Sequence, residues 1–210
     1  MCTNGSVIDS VAFFHFAERK AREAATACIE RLSTVFDRRD GLRVQGIGNE
    51  WSRLHFGGEF GLMRPRPKQT AMSLVFVQTK DGNTGGPNPG ALGGGATDQH
   101  LLYEGLSRVA ADAVLAGVGS VHRNTFFSVW HPELVALRAS LDLPRHPAQI
   151  VISKRGNVAF DALLFNVPDV PVFLIAGDEG IARHQSALRE RHGSGSSPQL
   201  ATIFAGRSKR

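Results

Sequence analysis

Asp112-Ala113-Val114-Leu115-Ala116-Gly117-Val118-Gly119-Ser120 is the stretch on which the fold turns. Asp112 to Ala116 is a short, mostly apolar run, which reads as a strand, and it stops in a glycine-rich turn. Outward from it, Gln149 to Ser153 and Val170 to Ala176 have the same texture, and upstream Ala71 to Gln78 holds Val75, Phe76 and Val77 before Lys80-Asp81-Gly82. Helical patterns lie between these runs. Thr97 or Asp98 caps one that continues to about Ala110, with Leu101, Leu102, Gly105 and Val109 inward. Val135 to Leu141 and Ile181 to Arg191 give two more. Strands separated by helices predict an α/β fold with a largely parallel sheet.

The flanks differ. Ser10 to Phe36 places Val11, Phe14, Ala17, Ala21, Ala24, Cys28, Leu32 and Val35 at steps of three and four, which predicts one amphipathic helix. Arg38 to Gly48 reads as a connector, and Trp51 to Arg66 as irregular, since Gly57-Gly58 and Pro65-Arg66-Pro67 interrupt any helix. Gly82 to Gly95 holds seven glycines in fourteen residues and predicts a long loop. Gly193 to Pro198 reads as a linker and the last dozen residues as partly disordered. The expected division is therefore a helical extension and connector over 1–56, a domain over 57–192 and a flexible basic tail over 193–210.

With 210 residues, 42% hydrophobic and 20% charged, the chain has the makeup of a globular domain that builds a core without staples. Two cysteines cannot make a disulfide framework or a four-thiolate zinc site, and the eight histidines lack metal-site spacing. There is no apolar run of about 20 residues to span a bilayer and no basic region ahead of the first apolar patch. A cytoplasmic protein is expected. The net charge of +5 attracts polyanions, and Arg38-Arg39 with Arg43, Arg64 to Lys68 and Arg207 to Arg210 are its clusters. A basic nucleic-acid-binding module is one reading of these, a solvated surface the other.

Three segments suit chemistry. Gly117-Val118-Gly119-Ser120, between a strand and an expected helix, offers backbone N–H groups to an anion, unless the glycines serve only a tight turn. Ser153-Lys154-Arg155, again after a strand, sets a hydroxyl beside two cations and suits a phosphate monoester, unless it is only an exposed basic turn. Two such turns at strand carboxyl ends fit a cofactor with a pyrophosphate and a 2′-phosphate, NADP rather than NAD. In Thr79-Lys80-Asp81-Gly82, Asp81 is able to accept substrate hydrogen bonds, although Asp-Gly is also an ordinary turn pair.

Phe76 to Gly82, Gly93-Gly94-Gly95-Ala96-Thr97-Asp98 and Ser107 to Val121, in this order, resemble the reductase domain of riboflavin biosynthesis. The resemblance covers roughly Gly57 to Ala176 and implies a dihydrofolate-reductase-like fold, NADPH as cofactor and a homodimer. It also implies reduction of the ribose of 5-amino-6-(5-phosphoribosylamino)uracil, a ribosylated pyrimidine. Carried over by residue, Thr79, Gly117, Gly119, Ser120 and Ser153 contact cofactor, with Lys154 and Arg155 beside them and Asn124 where the family has an acidic residue. Asp81 and Arg108 contact substrate, and His131 stands where the family has a basic phosphate contact. The family continues with a further helix and strands after the last predicted strand. The expectation here is an open sheet edge and little turnover, or a relative that keeps the fold and nucleotide without catalysis.

Overall fold

The computed structural model describes residues 5–38, 42–76, 78–82, 94–167, 169–178, 180, 182 and 200–204. The chain is mixed α/β and forms two compact units. One comprises Met1–Arg19, Asp112–Phe127 and His146–Arg210; the other comprises Lys20–Ala111 and Ser128–Arg145. The units thus interleave along the chain, whereas the sequence reading divides it into consecutive segments. Among the described residues no helix is long and apolar enough to cross a membrane.

The first unit is built on four parallel strands in chain order: β3 (Ala113–Gly117), β4 (Ala148–Ser153), β5 (Val172–Ala176) and β6 (Leu200–Phe204). Register pairs Gly117 with Ile152, Ser153 with Ala176, and Ala176 with Phe204, so the strands end together at one carboxyl edge. Side chains alternate across a strand. Gln149, Val151 and Ser153 of β4 and Val172, Leu174 and Ala176 of β5 are therefore buried on one face, while Leu115 and Ile152 are exposed on the other. Buried Gln149 needs partners: its amide accepts from Phe127 N–H at 3.0 Å and donates to the carbonyls of Phe127 and Pro147 at 3.0 and 2.7 Å.

The second unit packs Ile47, Phe60, Leu101, Val109, Val129, Leu134 and Leu137 into one core. Its elements are the antiparallel pair β1 (Val44–Ile47) and β2 (Phe60–Met63), helix α2 (Glu50–Phe56) and helix α4 (Pro132–Ser140). A helical turn α3 (Gly95–Thr97) runs into a π-helix, Asp98–Leu106. The wide turn brings Gly105 so near the Phe60 ring that a Cβ would lie 2.9 Å from Cζ.

Several sequence expectations need correction. Helix α1 spans Gly5–Ala25, not Ser10 to Phe36. Thr26 turns its hydroxyl back to the Arg22 carbonyl at 3.0 Å, and this competing local bond accompanies the helix end. The supposedly irregular stretch after Gly48 contains α2 and β2. Asn49 and Ser52 form a reciprocal capping box, and Gly57, at φ +73°, supplies the left-handed stop. The expected strand Ala71 to Gln78 is not one. Among the described residues of that segment no strand pairing occurs, and Met72, Leu74 and Phe76 are exposed. A run with strand composition needs a partner to bond its amides, and composition alone does not provide one. The tail is not wholly irregular, because β6 covers the edge of β5 that was expected to stand open. No helix begins directly after Ser120. A single 3-10 turn, Val118–Ser120, ends in extended backbone at Val121, so the dipole expected behind this turn is missing. Residues 83–93 of the glycine loop, nearly all of Ile181 to Arg191 and the linker Gly193 to Pro198 lie outside the described residues.

Candidate functional site

The carboxyl edge of the sheet gathers the residues expected at the cofactor. Gly117 closes β3 in extended backbone, φ −72° and ψ 149°. The turn is tied down locally: Val121 N–H donates to the Val118 carbonyl at 3.1 Å. The Thr125 hydroxyl accepts from His122 N–H at 2.8 Å and donates to the Ser120 carbonyl at 3.4 Å. A Cβ placed on Gly117 or Gly119 would meet nothing within 4 Å, and neither has the positive φ that favours glycine. The fold itself therefore gives no reason for either glycine, and the tight-turn explanation loses its basis. Both are exposed, as are Ser120 and Asn124.

One strand along, Lys154 and Arg155 are exposed while Ser153 is only 2% exposed. The two cations are offered to solvent and the Ser153 side chain is withdrawn from it, which weakens the hydroxyl's part in an anion contact. Behind them the backbone is crowded. Gly156 has φ +70°, and its Cβ would fall 2.3 Å from the Gly180 Cα; a Cβ on Gly177 would lie 3.0 Å from the Lys154 carbonyl oxygen. Glycine at 156 and 180 lets the loops after β4 and β5 touch backbone to backbone, which fixes the base on which Lys154 and Arg155 stand.

The residues expected at the substrate, with Thr79, belong to the second unit. Thr79 donates its hydroxyl to the Asp81 carboxylate, Gly82 N–H reaches the Thr79 carbonyl at 2.9 Å, and Gly82 has φ +88°. The Thr79 hydroxyl and Asp81's own amide hold this carboxyl below its ordinary range, so it is a charged, exposed acceptor in a self-contained turn. Arg108 is half-buried, with its Nη1 donating to the Ser128 carbonyl at 3.3 Å and its guanidinium over the Tyr103 ring at 4.9 Å.

His131 is buried and serves a structural purpose. Its Nδ1 accepts Glu133 N–H at 3.4 Å as the N-cap of α4, and its ring stacks on Trp51 with centroids 4.0 Å apart. Burial, then the neighbouring His100, push its pKa below the ordinary 6.5; Glu104 opposes them and His55 adds to the lowering. An unfolded chain therefore binds a proton near 6.5 that the folded chain refuses, and stability falls as pH drops from about 6.5 toward the depressed folded value. His131→Asn keeps a capping acceptor and removes the titration. Its melting temperature is expected to fall less than the parent's between about pH 7 and 5; parallel curves would assign the acid loss to other groups.

Sequence reasoning missed the centre of this unit, Glu104. Almost fully buried on the π-helix, it accepts Trp130 N–H at 2.9 Å, and His100 Nδ1 lies 3.1 Å from the same oxygen without the angle of a formed hydrogen bond. Its charge opposes the desolvation that lowers the pKa of both Arg108 and Arg145. The available signal was spacing: Glu104 stands four residues before Arg108 in a helical stretch. Among the described residues no cluster of His, Cys, Asp or Glu is arranged to hold a metal ion. No protein-family model matches this chain, and no curated protein matches it.

Proposed function

We propose that this protein is an NADPH-dependent reductase of a ribosylated pyrimidine, the activity implied by its resemblance to the riboflavin-biosynthesis reductases. The observation that carries the reading is the pair Gly117 and Gly119, glycines for which the protein's own packing has no use, at the carboxyl edge of a parallel sheet beside Lys154 and Arg155. Open α/β sheets take ligands at this edge, and a glycine turn with two exposed cations beside it fits a pyrophosphate and a 2′-phosphate. Gly117, Gly119 and Ser120 would hold the pyrophosphate, and Lys154 and Arg155 the 2′-phosphate. NADPH would supply the hydride and solvent water the accompanying proton; Arg108 and Asp81 would contact the substrate, so few titrating groups are required.

Fluorescence titration with NADPH and NADH tests this. NADPH is expected to bind more tightly, and the double change Lys154→Ala, Arg155→Ala to weaken NADPH more than NADH by about 1–3 kcal/mol. Gly119→Val has room to fold normally and is expected to lose nucleotide, because its branched side chain fills the approach to the amides. Equal losses for the two nucleotides would remove the 2′-phosphate role. A folded Gly119→Val that binds normally would remove the pyrophosphate role.

A further inference from the structure

The basic run Arg64 to Lys68 has no part in the site described above, and the fold puts it on display. Strand β2 ends at Met63, and Arg64 N–H then donates to the Arg43 carbonyl at 2.8 Å. The two arginines thus stand opposite each other at the end of the β1–β2 pair that lies away from buried Ile47 and Phe60. Residues 63–70 are exposed without interruption, and Arg43 with them. Among the described residues no carboxylate pairs with Arg43, Arg64, Arg66 or Lys68. The segment itself supplies none, because residues 60–80 include no Asp or Glu.

Apolar side chains of the same segment are also turned outward. Met72, Leu74 and Phe76, at alternate positions, are 76%, 79% and 71% exposed, and Leu42 beside Arg43 and Met63 beside Arg64 are exposed too. Scattered exposed apolar residues are ordinary, but five of them interleaved with four cations mark an interaction surface. A second copy laid patch to patch would bring like charges together, so charge opposes it. Among the described residues the segment belongs to no sheet, so it has no ladder for a partner's strand to extend. Charge complementarity therefore calls for an anionic occupant. Nucleic acid stacks its bases on aromatic rings, and only Phe76 of the five is aromatic. Aliphatic side chains among arginines and lysine match a lipid surface, with hydrocarbon below and acidic headgroups above.

We propose that Leu42, Arg43 and residues 63–76 form a docking surface for a membrane that carries anionic lipid. Arg43, Arg64, Arg66 and Lys68 meet the headgroups, and the tips of Met72, Leu74 and Phe76 enter the acyl boundary. The backbone of residues 70–76 is not helical, so it stays in the hydrated headgroup layer and only side chains go deeper. The contact is peripheral and independent of the reductase reading.

Cosedimentation of the full chain with two kinds of vesicle tests it, phosphatidylcholine alone and phosphatidylcholine with about one-third phosphatidylserine. The parent is expected to bind the acidic vesicles about tenfold or more tighter than the neutral ones, and to be released as salt rises to about 0.5 M. A cation at an acidic surface is worth about fivefold in affinity, so Arg66→Gln with Lys68→Gln is expected to lose about twentyfold. Leu74→Ser with Phe76→Ser keeps every charge and is expected to lose about tenfold, which a purely electrostatic contact would not show. Should a double variant fail to fold by circular dichroism, Lys68→Gln and Leu74→Ser carry the test with losses of about fivefold and threefold. No preference for acidic vesicles, or unchanged binding in either folded pair, would overturn the proposal. A single-stranded oligonucleotide bound more tightly than the vesicles, and lost in the same variants, would overturn it in favour of nucleic acid. Sedimentation velocity without lipid reads the remaining occupant: a dimer broken by Leu74→Ser with Phe76→Ser would assign the surface to a second copy instead. NADPH titration of the same samples reads the reductase assignment separately, whichever way the lipid result falls.

Discussion

Arg138→Leu is expected to lower the unfolding free energy by about 3–5 kcal/mol, the range for stripping a hydrogen-bonded group out of a core. Arg138 projects from α4 and is 1% exposed. Its Nε donates to the Pro144 carbonyl at 2.6 Å, and its Nη1 to the carbonyls of Arg108, Val109 and Ala111 at 3.2, 3.1 and 2.8 Å. Three of these oxygens belong to residues just past the π-helix, where a helical stretch ends and its last carbonyls lose their internal partners. One guanidinium supplies what a C-terminal cap would, and it also ties α4 to that end. Leucine preserves the bulk but leaves those carbonyls without this donor; each buried polar group so stranded costs about 1–3 kcal/mol, not additively. Lysine has no planar fork and is expected to recover only part of the loss. Urea denaturation measures the effect. A loss under about 1 kcal/mol for the leucine variant would mean that water takes over the carbonyls and that the arginine is a surface feature in energetic terms.

Arg138 also marks where sequence reading stops. The strands β3, β4 and β5 were legible because each is a short apolar run bounded by turn residues, as in Val114-Leu115-Ala116 and Ile150-Val151-Ile152, although Leu115 and Ile152 are exposed. Helix α4 was legible from its period, and Leu101, Gly105 and Val109 of the next helical stretch were placed inward as found. The same logic failed at Met72-Ser73-Leu74-Val75-Phe76, whose composition is that of a strand but which lacks a pairing partner among the described residues. Local chemistry outvoted periodicity at Thr26, and it built α2 from Asn49, Ser52 and Gly57, signals too short for a window search. The anion-friendly edge could be inferred because glycine and cation turns sit directly after strands. The hydrogen-bonded contacts of buried Glu104 and Arg138 could not, since they are made through tertiary packing, and a charged residue in a helix reads by default as a solvated one.

Glu104→Gln is expected to cost about 1–2 kcal/mol, although it alters only one heavy atom and keeps an oxygen for Trp130 N–H. The argument is the charge. A hydrogen bond to a charged acceptor is worth about 1.5–3 kcal/mol against about 0.5–1.5 kcal/mol for a neutral one, so the Trp130 N–H bond weakens when the charge is removed. Arg108, half-buried, and Arg145, exposed, feel the carboxylate only through its field, so solvent screens their part of the loss. Glu104→Leu gives up the Trp130 bond as well and is expected to lose about 1 kcal/mol more. Salt separates the causes. Screening by about 0.5 M salt weakens an exposed ion pair and leaves the effect of a buried one largely intact. The gap between parent and Glu104→Gln is therefore expected to persist at high salt, read as the difference in urea midpoints. A gap below about 0.5 kcal/mol at low salt, or one that vanishes at high salt, would place Glu104 among ordinary surface charges.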